Sequence, residues 1–293
     1  MKFLVHNGGG LLGVLSEAIE KRLGILKADV YMGDSIGAII SAMRAIGKSP
    51  AAVLDLLVQH APEIFEHSTL DAVEDMQGLC SAKYRSEPLH DVLVHQLGNI
   101  TFGDLDCQCI MPSWSLTNDG PYWFHKGQDD SITLVDGCMA SSACPILFSS
   151  YPIMAMRQNF GDGGWTCHAP ADKVSFLFHP EDVEAVLAIG TGMMPECNGR
   201  MDPLDWGLLS WFQKDIISAF ARLREKESDQ NCRMFFGDKY RLINPLCETI
   251  GIDDVSKISR MQDIGATADL GDVPAWLAAR WSPSVPSVSS PLS

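Results

Sequence analysis

Residues 28–47 read ADVYMGDSIGAIISAMRAIG, and this stretch indicates how the chain folds. Residues 28–32 are typical of a short strand, and residues 41–46 continue a helix. Between them lies Gly33-Asp34-Ser35-Ile36-Gly37, a G-x-S-x-G sequence at a strand-to-helix junction. A serine on such a turn presents its hydroxyl at the end of the sheet, where a helix N-terminus favours developing negative charge. Ser35 is therefore a candidate nucleophile; a serine N-cap between two incidental glycines is the alternative.

A glycine-rich loop, NGGGLLG at residues 7–13, follows a predicted strand at residues 2–6 and precedes a predicted helix at residues 14–23. Its uncovered N–H groups form an anion site. The loop matches the dinucleotide fingerprint G-x-G-x-x-G, with Asp34 near the place of a ribose-binding acid. It also fits an oxyanion hole for Ser35. We favour the second function, because a dinucleotide site has no use for a serine on a sharp turn.

A third loop, residues 159–165 (NFGDGGW), places Asp162 after an apolar strand and before Gly163 and Gly164. The two glycines allow a sharp turn that holds the carboxylate outward. An ordinary Asp-Gly turn is the alternative interpretation. Asp162 becomes a candidate general base if its loop meets the loop of Ser35.

The composition limits the partners and the compartment. The chain has 293 residues with a net charge of −15, which argues against nucleic acid and against firm electrostatic docking on anionic lipid. No apolar run is long enough for a membrane span, and the N-terminus lacks the features of a signal peptide. We therefore expect a cytoplasmic protein with at most peripheral membrane association. Nine cysteines without a C-x-x-C pair indicate reduced thiols and no metal site.

The remaining pattern predicts one α/β domain over residues 1–281, with a candidate helical lid at about residues 50–98 and a disordered Ser/Pro-rich tail at residues 282–293. The lid includes a polar, mixed segment at residues 67–87. Further strands are predicted at residues 107–111, 122–125, 151–156, 183–190 and 233–244, and further helices at residues 51–60, 88–97, 135–147, 204–223 and 253–270.

With the glycine loop, the G-x-S-x-G turn and the Asp162 loop in this order, the chain resembles the patatin-like phospholipases. Residues 140–145 (ASSACP) and 187–192 (LAIGTG) support the resemblance, which covers about residues 2–270. It implies a three-layer α/β/α sandwich with a mostly parallel sheet, related to the α/β hydrolases. It also implies a Ser-Asp dyad that cleaves acyl esters of lipids without a histidine, metal or cofactor.

By this resemblance Ser35 is the nucleophile, Asp162 is the general base and the amides of Gly8, Gly9 and Gly10 form the oxyanion hole. The glycines that support the three motifs are Gly13, Gly33, Gly37, Gly163 and Gly164. Two positions depart from the family pattern, because Asn7 stands where an aspartate is usual and Leu12 stands where an arginine is usual. The resemblance implies that loss of the arginine weakens the anchoring of the loop or changes head-group preference, but the dyad is intact and we expect activity.

Several functions remain open at this point. The first is a phospholipase A-like hydrolase that meets its phospholipid substrate at a transient membrane surface. The others are a soluble carboxylesterase or thioesterase, an effector gated by a ligand or protein partner as the resemblance implies, and a dinucleotide-binding protein. A Ser-His-Asp triad is the rival arrangement, with His168 near the cleft and His6 packing locally. We expect substantial hydrolysis to survive replacement of either histidine by alanine. The sequence does not indicate head-group choice or oligomeric state.

Overall fold

The computed structural model describes residues 1–65, 82–145, 147–193 and 216–281. Within these ranges a mixed eight-stranded sheet has the strand order β5-β6-β3-β2-β1-β7-β8, and β4 pairs with β3. Strands β3, β2, β1, β7 and β8 are parallel neighbours, whereas β4, β5 and β6 add antiparallel pairs. The strands are β1 (Lys2–His6), β2 (Val30–Gly33), β3 (Gln108–Ser115), β4 (Gly120–Phe124), β5 (Tyr151–Ile153), β6 (Gln158–Gly161), β7 (Ala185–Ile189) and β8 (Tyr240–Ile243).

Helices cover both faces of the sheet. They are α1 (Gly13–Leu23), α2 (Ile36–Ala45), α3 (Pro50–Ile64), α4 (Glu87–Leu97), α5 (Leu134–Ser141), α6 (Gly163–Cys167), α7 (Val174–Leu177), α8 (Ile216–Phe236), α9 (Ile258–Thr267) and α10 (Val273–Arg280). Two separate apolar clusters fill the spaces between the helices and the sheet. The three-layer α/β/α fold with parallel central strands, expected from the sequence, is therefore confirmed.

The central strands feed both clusters because successive side chains of a strand point to opposite faces. In β1, Leu4 joins the cluster under α1, α2 and α3, whereas Phe3 and Val5 join the cluster under α7 and α8. Strand β7 divides in the same way, with Leu187 in the first cluster and Val186 in the second. Burial on both faces accounts for the nearly continuous apolar sequence of these strands.

The register of the parallel strands brings three loops to one edge of the sheet. His6, the last residue of β1, pairs with Gly33 at the end of β2 and with Ile189 at the end of β7. The glycine loop, the Ser35 turn and the segment after β7 therefore leave the sheet side by side.

Two predicted elements near the C-terminus are wrong in part. Residues 233–239 are not strand, because α8 continues to Phe236 and a 3-10 turn follows before β8. The apolar side chains of Met234 and Phe235 suggested a strand, but they lie exposed on the helix. The helix predicted at residues 253–270 is shorter, at Ile258–Thr267, and the helix Val273–Arg280 was not predicted.

Two predicted elements in the middle of the chain also differ. The strand predicted at residues 151–156 ends at Ile153, because a turn with Arg157 at φ 53° reverses the chain between β5 and β6. The helix predicted at residues 135–147 ends at Ser141. The whole tail lies outside the described residues, and so do parts of the candidate lid and of the helix predicted at residues 204–223. The single-domain organisation therefore stays a prediction.

A buried polar network joins α1 and α2 beneath the glycine loop. Arg44 Nε donates to Glu20 Oε1 at 2.8 Å, and His6 Nε2 lies 2.9 Å from Glu20 Oε2. Glu17 is fully buried beside this group, and neither of its carboxylate oxygens has a hydrogen-bond partner in the described ranges. Burial, and then the charge of Glu20, raise the pKa of Glu17 well above its ordinary value.

These three side chains, His6, Glu17 and Glu20, are close enough together to share a metal ion. The charges favour a proton instead, because Arg44 already neutralises one of the two carboxylates and a single proton on Glu17 neutralises the other. We infer that Glu17 is held as a neutral acid.

Glu17→Gln tests this inference. A folded-state pKa above the unfolded value means that the folded chain binds this proton more tightly. The contribution of this proton to the free energy of unfolding is therefore fully present below the pKa that Glu17 has in the unfolded chain. It is lost as pH rises above that value, by at most about 1.4 kcal/mol per pH unit. The variant should lose less unfolding free energy than wild type between pH 5 and pH 8, measured by urea denaturation. A variant that is more strongly destabilised at pH 8 than at pH 5 would contradict a neutral Glu17.

Candidate active site

Ser35 lies on a strained turn between β2 and α2. Its backbone has φ 52° and ψ −122°, a conformation that side-chain-bearing residues rarely adopt and that is typical of a nucleophile elbow. The flanking glycines are required by close packing. A Cβ at Gly33 would lie 2.2 Å from the carbonyl oxygen of Gly37, and a Cβ at Gly37 would lie 2.1 Å from that of His6.

Asp162 follows β6 and forms the N-cap of α6. Its Oδ1 accepts a hydrogen bond from the Gly164 N–H at 2.7 Å, and its Oδ2 is buried without a hydrogen-bond partner in the described ranges. Burial, and then the nearby Asp34 carboxylate, raise the pKa of Asp162 to about 7; the Gly164 N–H and the Ser35 hydroxyl act in the opposite direction. The side chain is 5% exposed. It is thus a buried carboxylate with a free oxygen and an elevated proton affinity.

Ser35 and Asp162 lie close together. The Ser35 hydroxyl is near enough to lower the pKa of Asp162, although no hydrogen bond of ordinary distance and angle joins the two side chains. Catalytic hydrogen bonds are often loose before substrate binds, so this geometry is compatible with a nucleophile and its base. Gly163 lets the Asp162 loop pack against β3, because a Cβ there would lie 2.2 Å from the carbonyl oxygen of Pro112.

The glycine loop lies on the other side of Ser35. Gly8 N–H donates to Asp34 Oδ1 at 2.8 Å, so this amide is not free to bind an oxyanion in the observed conformation. Gly9 and Gly10 have φ values of 146° and 56°, and in the described part of the chain their N–H groups donate to no protein acceptor. Of the three glycine amides considered as oxyanion donors, those of Gly9 and Gly10 therefore remain candidates and that of Gly8 does not.

Gly13 has a packing role. A Cβ at this position would lie 2.4 Å from Ile36 Cγ1, so the glycine lets the start of α1 approach the start of α2. Leu12 is 3% exposed and belongs to the apolar cluster. Where the family pattern has an arginine, this chain therefore has a core side chain.

One cleft connects the three loops. Gly8, Gly9, Gly10, Ser35 and Asp162 line it. The rest of the lining is mainly apolar and comes from α2, α3, α4 and α8 and from the segments after α5 and β8. These apolar residues include Ile39, Leu57, Ala61, Ile64, Phe65, Leu89, Val92, Leu93, Leu147, Phe148, Phe220 and Ile252. Such a surface accommodates a hydrocarbon chain beside the polar end formed by Ser35 and Asp162.

His168 follows α6 and faces two acids. Its Nδ1 lies 3.4 Å from Asp34 Oδ2 and its Nε2 lies 3.8 Å from Glu225 Oε1. Burial alone would lower the pKa of His168, but Asp34 and then Glu225 outweigh it and raise the pKa to about 9. Its two ring nitrogens face carboxylates, and no described histidine is hydrogen-bonded to Ser35. The geometry gives no support to a Ser-His-Asp triad.

The dinucleotide function also fails at Asp34. This side chain is fully buried and already bonded to the glycine loop, so it is not available to a ribose. The contacts of Asp34 with Gly8 and His168 were not predicted, because its motif leaves this position open, and the contact of Glu225 with His168 was not predicted because no local motif contains Glu225. Ser141 is a further contact of the site, because its Oγ accepts a hydrogen bond from the Ser35 N–H at 3.1 Å and donates to the Pro112 carbonyl at 2.6 Å.

None of the described helices combines the length and apolar character required to cross a bilayer.

The described cysteines are free thiols, and burial raises the pKa of Cys144, which lines the cleft. Cys144 is therefore a weak rival to Ser35 as nucleophile.

Comparison with known proteins relates this chain to one family. The family model described as patatin-like phospholipase matches residues 4–174. A cGAMP-activated phospholipase of Escherichia coli (strain TW11681) is 27% identical over 192 residues, which cover 58% of this chain and 54% of that protein. A protein of the same name from Pseudomonas aeruginosa (strain BWHPSA011 / Pa011) is 26% identical over 291 residues, which cover 92% of this chain and 85% of that protein.

This chain spans about half the length of the Escherichia coli protein and of the Vibrio cholerae protein of the same name. Among solved structures, VipD from Legionella pneumophila has the same fold, with a TM-score of 0.53 and 13% identity over 95% of this chain and 67% of VipD. The family match covers more than half of the residues and includes the glycine loop, the Ser35 turn and the Asp162 loop. This chain therefore belongs to the patatin-like phospholipase family.

Proposed function

We propose that this protein is a serine acyl hydrolase that cleaves fatty-acyl esters of phospholipids, with Ser35 as nucleophile and Asp162 as general base. One observation carries the proposal: a strained serine, a buried carboxylate with a free oxygen, and unoccupied glycine amides line the same apolar cleft. The family membership and the names of the relatives, which are phospholipases, point in the same direction.

In the acylation step, Ser35 Oγ attacks the ester carbonyl carbon while Asp162 Oδ2 takes the hydroxyl proton. An ordinary aspartate is a weak base near neutral pH, whereas a pKa of about 7 brings Asp162 into the effective range. The carbonyl oxygen becomes an oxyanion, which the N–H groups of Gly9 and Gly10 bind. One such donor contributes about 2.7–4 kcal/mol to the transition state.

When the tetrahedral intermediate collapses, the bond from the carbonyl carbon to the alcohol oxygen breaks, and Asp162 returns its proton to the departing lysolipid. Water then attacks the acyl-serine while Asp162 accepts a proton from it. Breakdown of the second intermediate releases the fatty acid, and the proton passes back to Ser35 Oγ. These steps use groups of this chain, the substrate and one water molecule.

Contact with a lipid surface would rely on apolar side chains. The net charge of −15 opposes binding to anionic lipid, so attraction of opposite charges does not bring the protein to a membrane. Trp165 and Phe220 line the cleft and are about half exposed. We propose that α3 and α4, which form one wall of the cleft, belong to a helical lid in a single domain, and that the protein is cytoplasmic with transient membrane contact.

Two related functions have support from particular observations. An apolar cleft also accepts the acyl chain of a monomeric ester or thioester, which favours a carboxylesterase or thioesterase as the second candidate. Relatives in three bacteria are named cGAMP-activated phospholipases, which favours an enzyme that is silent until a cyclic dinucleotide or a protein partner binds.

A fluorophosphonate probe should label wild type at the serine of the G-x-S-x-G turn. Ser35→Ala should abolish labelling, and Asp162→Asn should slow it by about 10²–10⁴-fold because the base is lost. Ser149→Ala, an exposed serine outside the cleft, is the matched control and should label normally. Labelling is measured by gel fluorescence and peptide mapping. Undiminished labelling of the Ser35 variant would end the nucleophile assignment.

On the acid side of its pH profile, kcat/KM should fall to half of its maximum near pH 7. Asp162 must be deprotonated to act as a base, and its raised pKa of about 7 means that activity falls as pH drops through this value. Hydrolysis of a soluble ester is followed from pH 4 to pH 9, with Ser35→Ala as the blank. A midpoint near 4, the ordinary range of an aspartate, would contradict a desolvated base.

Substrate form separates the candidate functions. A phospholipase should hydrolyse micellar phospholipid faster than a monomeric short-chain ester, because the cleft buries a long acyl chain. Both rates are measured with and without added cGAMP. Stimulation of a silent enzyme by the nucleotide favours the gated function. Faster turnover of the monomeric ester under all conditions argues for the esterase and against a lipid substrate.

A further inference from the structure

His168 occupies a buried position where three segments of the active site meet. The residue ends α6, its side chain is 13% exposed, and its two ring nitrogens face Asp34 and Glu225. We propose that His168 is a positioning residue: paired with Asp34 on one side of its ring and with Glu225 on the other, it holds the Asp34 carboxylate on the Gly8 amide and thereby fixes the glycine loop beside Ser35. This inference rests on the proposed hydrolase function.

Asp34 is the first link. Its side chain is fully buried, its Oδ1 accepts the Gly8 N–H at 2.8 Å, and its Oδ2 has no hydrogen-bond donor in the described ranges. A buried carboxylate needs a counter-charge, because desolvation of the ion is costly. The His168 ring, with Nδ1 3.4 Å from Oδ2, is placed to supply it.

The backbone around this pair leaves little room for movement. A Cβ at Gly8 would lie 2.1 Å from Asp34 Oδ2 and 3.2 Å from His168 Nδ1. A Cβ at Gly164 would lie 3.4 Å and 3.6 Å from the same two atoms. The glycine loop therefore packs closely on the ion pair at Gly8, and the Asp162 loop lies beside the pair at Gly164.

Glu225 is the second link and lies on α8. Its Oε1 lies 3.8 Å from His168 Nε2 and accepts a hydrogen bond from Asn7 Nδ2 at 3.2 Å. Its Oε2 accepts one from Asn244 Nδ2 at 3.5 Å. Asn7 directly precedes Gly8, so the carboxylate connects the helix, the histidine and the start of the glycine loop. Burial raises the pKa of Glu225, and His168 then acts to lower it.

The charges require an imidazolium. The acids that act on His168 are Asp34, Glu225 and Asp162, and together they outweigh burial and hold its pKa at about 9. A raised folded-state pKa means that the cation is present at neutral pH and is lost as pH rises through about 9. His168 also lowers the pKa of Asp162, so its charge limits how far Asp34 raises that value.

The first test measures the ion pairs without reference to activity. His168 is titrated by NMR in the full chain carrying Ser35→Ala, and its ring signal is assigned by its absence from His168→Gln. We expect a pKa near 9, lowered by Glu225→Gln and by Asp34→Asn. Should Asp34→Asn fail to fold, Glu225→Gln decides. A pKa near the ordinary value of about 6.5, or one unchanged by these variants, would overturn the proposal.

The second test measures positioning. His168→Gln should lower kcat for a soluble ester by about 10-fold with KM nearly unchanged, because the loop is misplaced rather than a reacting group removed. Activity of wild type should fall above pH 9 as His168 loses its proton, and this alkaline limb should be absent from His168→Gln. His168→Lys restores a cation and should recover part of the rate. His179→Gln, an exposed histidine outside the cleft, should behave as wild type.

The outcomes are separable. Equal activity and an unchanged alkaline limb in His168→Gln would overturn the positioning role while leaving the hydrolase intact. Complete loss in a folded His168→Gln, with no recovery in His168→Lys, would also overturn it and favour direct participation in proton transfer. If wild type hydrolyses no ester, or Ser35→Ala remains active, the proposed function fails, and the NMR titration alone decides whether His168 holds Asp34.

Discussion

The contact between Gly37 and the end of β1 determines how closely the candidate catalytic loops approach one another. A Cβ at residue 37 would lie 2.1 Å from the carbonyl oxygen of His6, so only glycine lets the start of α2 pack against that strand. Gly33 meets the same limit against the Gly37 carbonyl. With both glycines in place, the parallel pairing of β1 and β2 places Ser35 next to the glycine loop. The geometry of the cleft follows from this backbone contact.

Electrostatics then give the site its chemical character. Asp162 is desolvated and lies near Asp34, and both conditions favour the protonated form, so its pKa rises to about 7. Asp34 itself is tied to Gly8 and faces His168. The Asp34 carboxylate thus has two effects, since it binds the Gly8 amide of the glycine loop and raises the pKa of Asp162. A helix, α8, brings Glu225 to the other side of the histidine, so the imidazole lies between two carboxylates.

Much of this organisation was predictable from the sequence. The strands β1, β2 and β7 have apolar runs that end in glycine motifs, and the order of the parallel loops follows from their sheet. Ser35, Asp162 and the glycine loop were identified because each has a local signature. The contacts of Asp34, Glu225 and His168 were not, because they depend on side chains that are far apart in sequence and carry no local pattern. Likewise, the helical spacing of α1 gives no sign that Glu17 and Glu20 are buried against Arg44. The strand predicted at residues 233–244 failed because exposed apolar residues on a helix resemble a strand when only sequence is read.

The central claim is that an acyl group passes through a covalent bond to Ser35. Its most direct test is intact-protein and peptide mass spectrometry after rapid acid quench of the enzyme with a long-chain ester under turnover. We predict a mass increase equal to one acyl group on the peptide that contains residues 33–37, and no such increase in Ser35→Ala. Continued hydrolysis with the adduct on another residue, or with no adduct at any quench time in an enzyme whose deacylation is demonstrably slow, would contradict it.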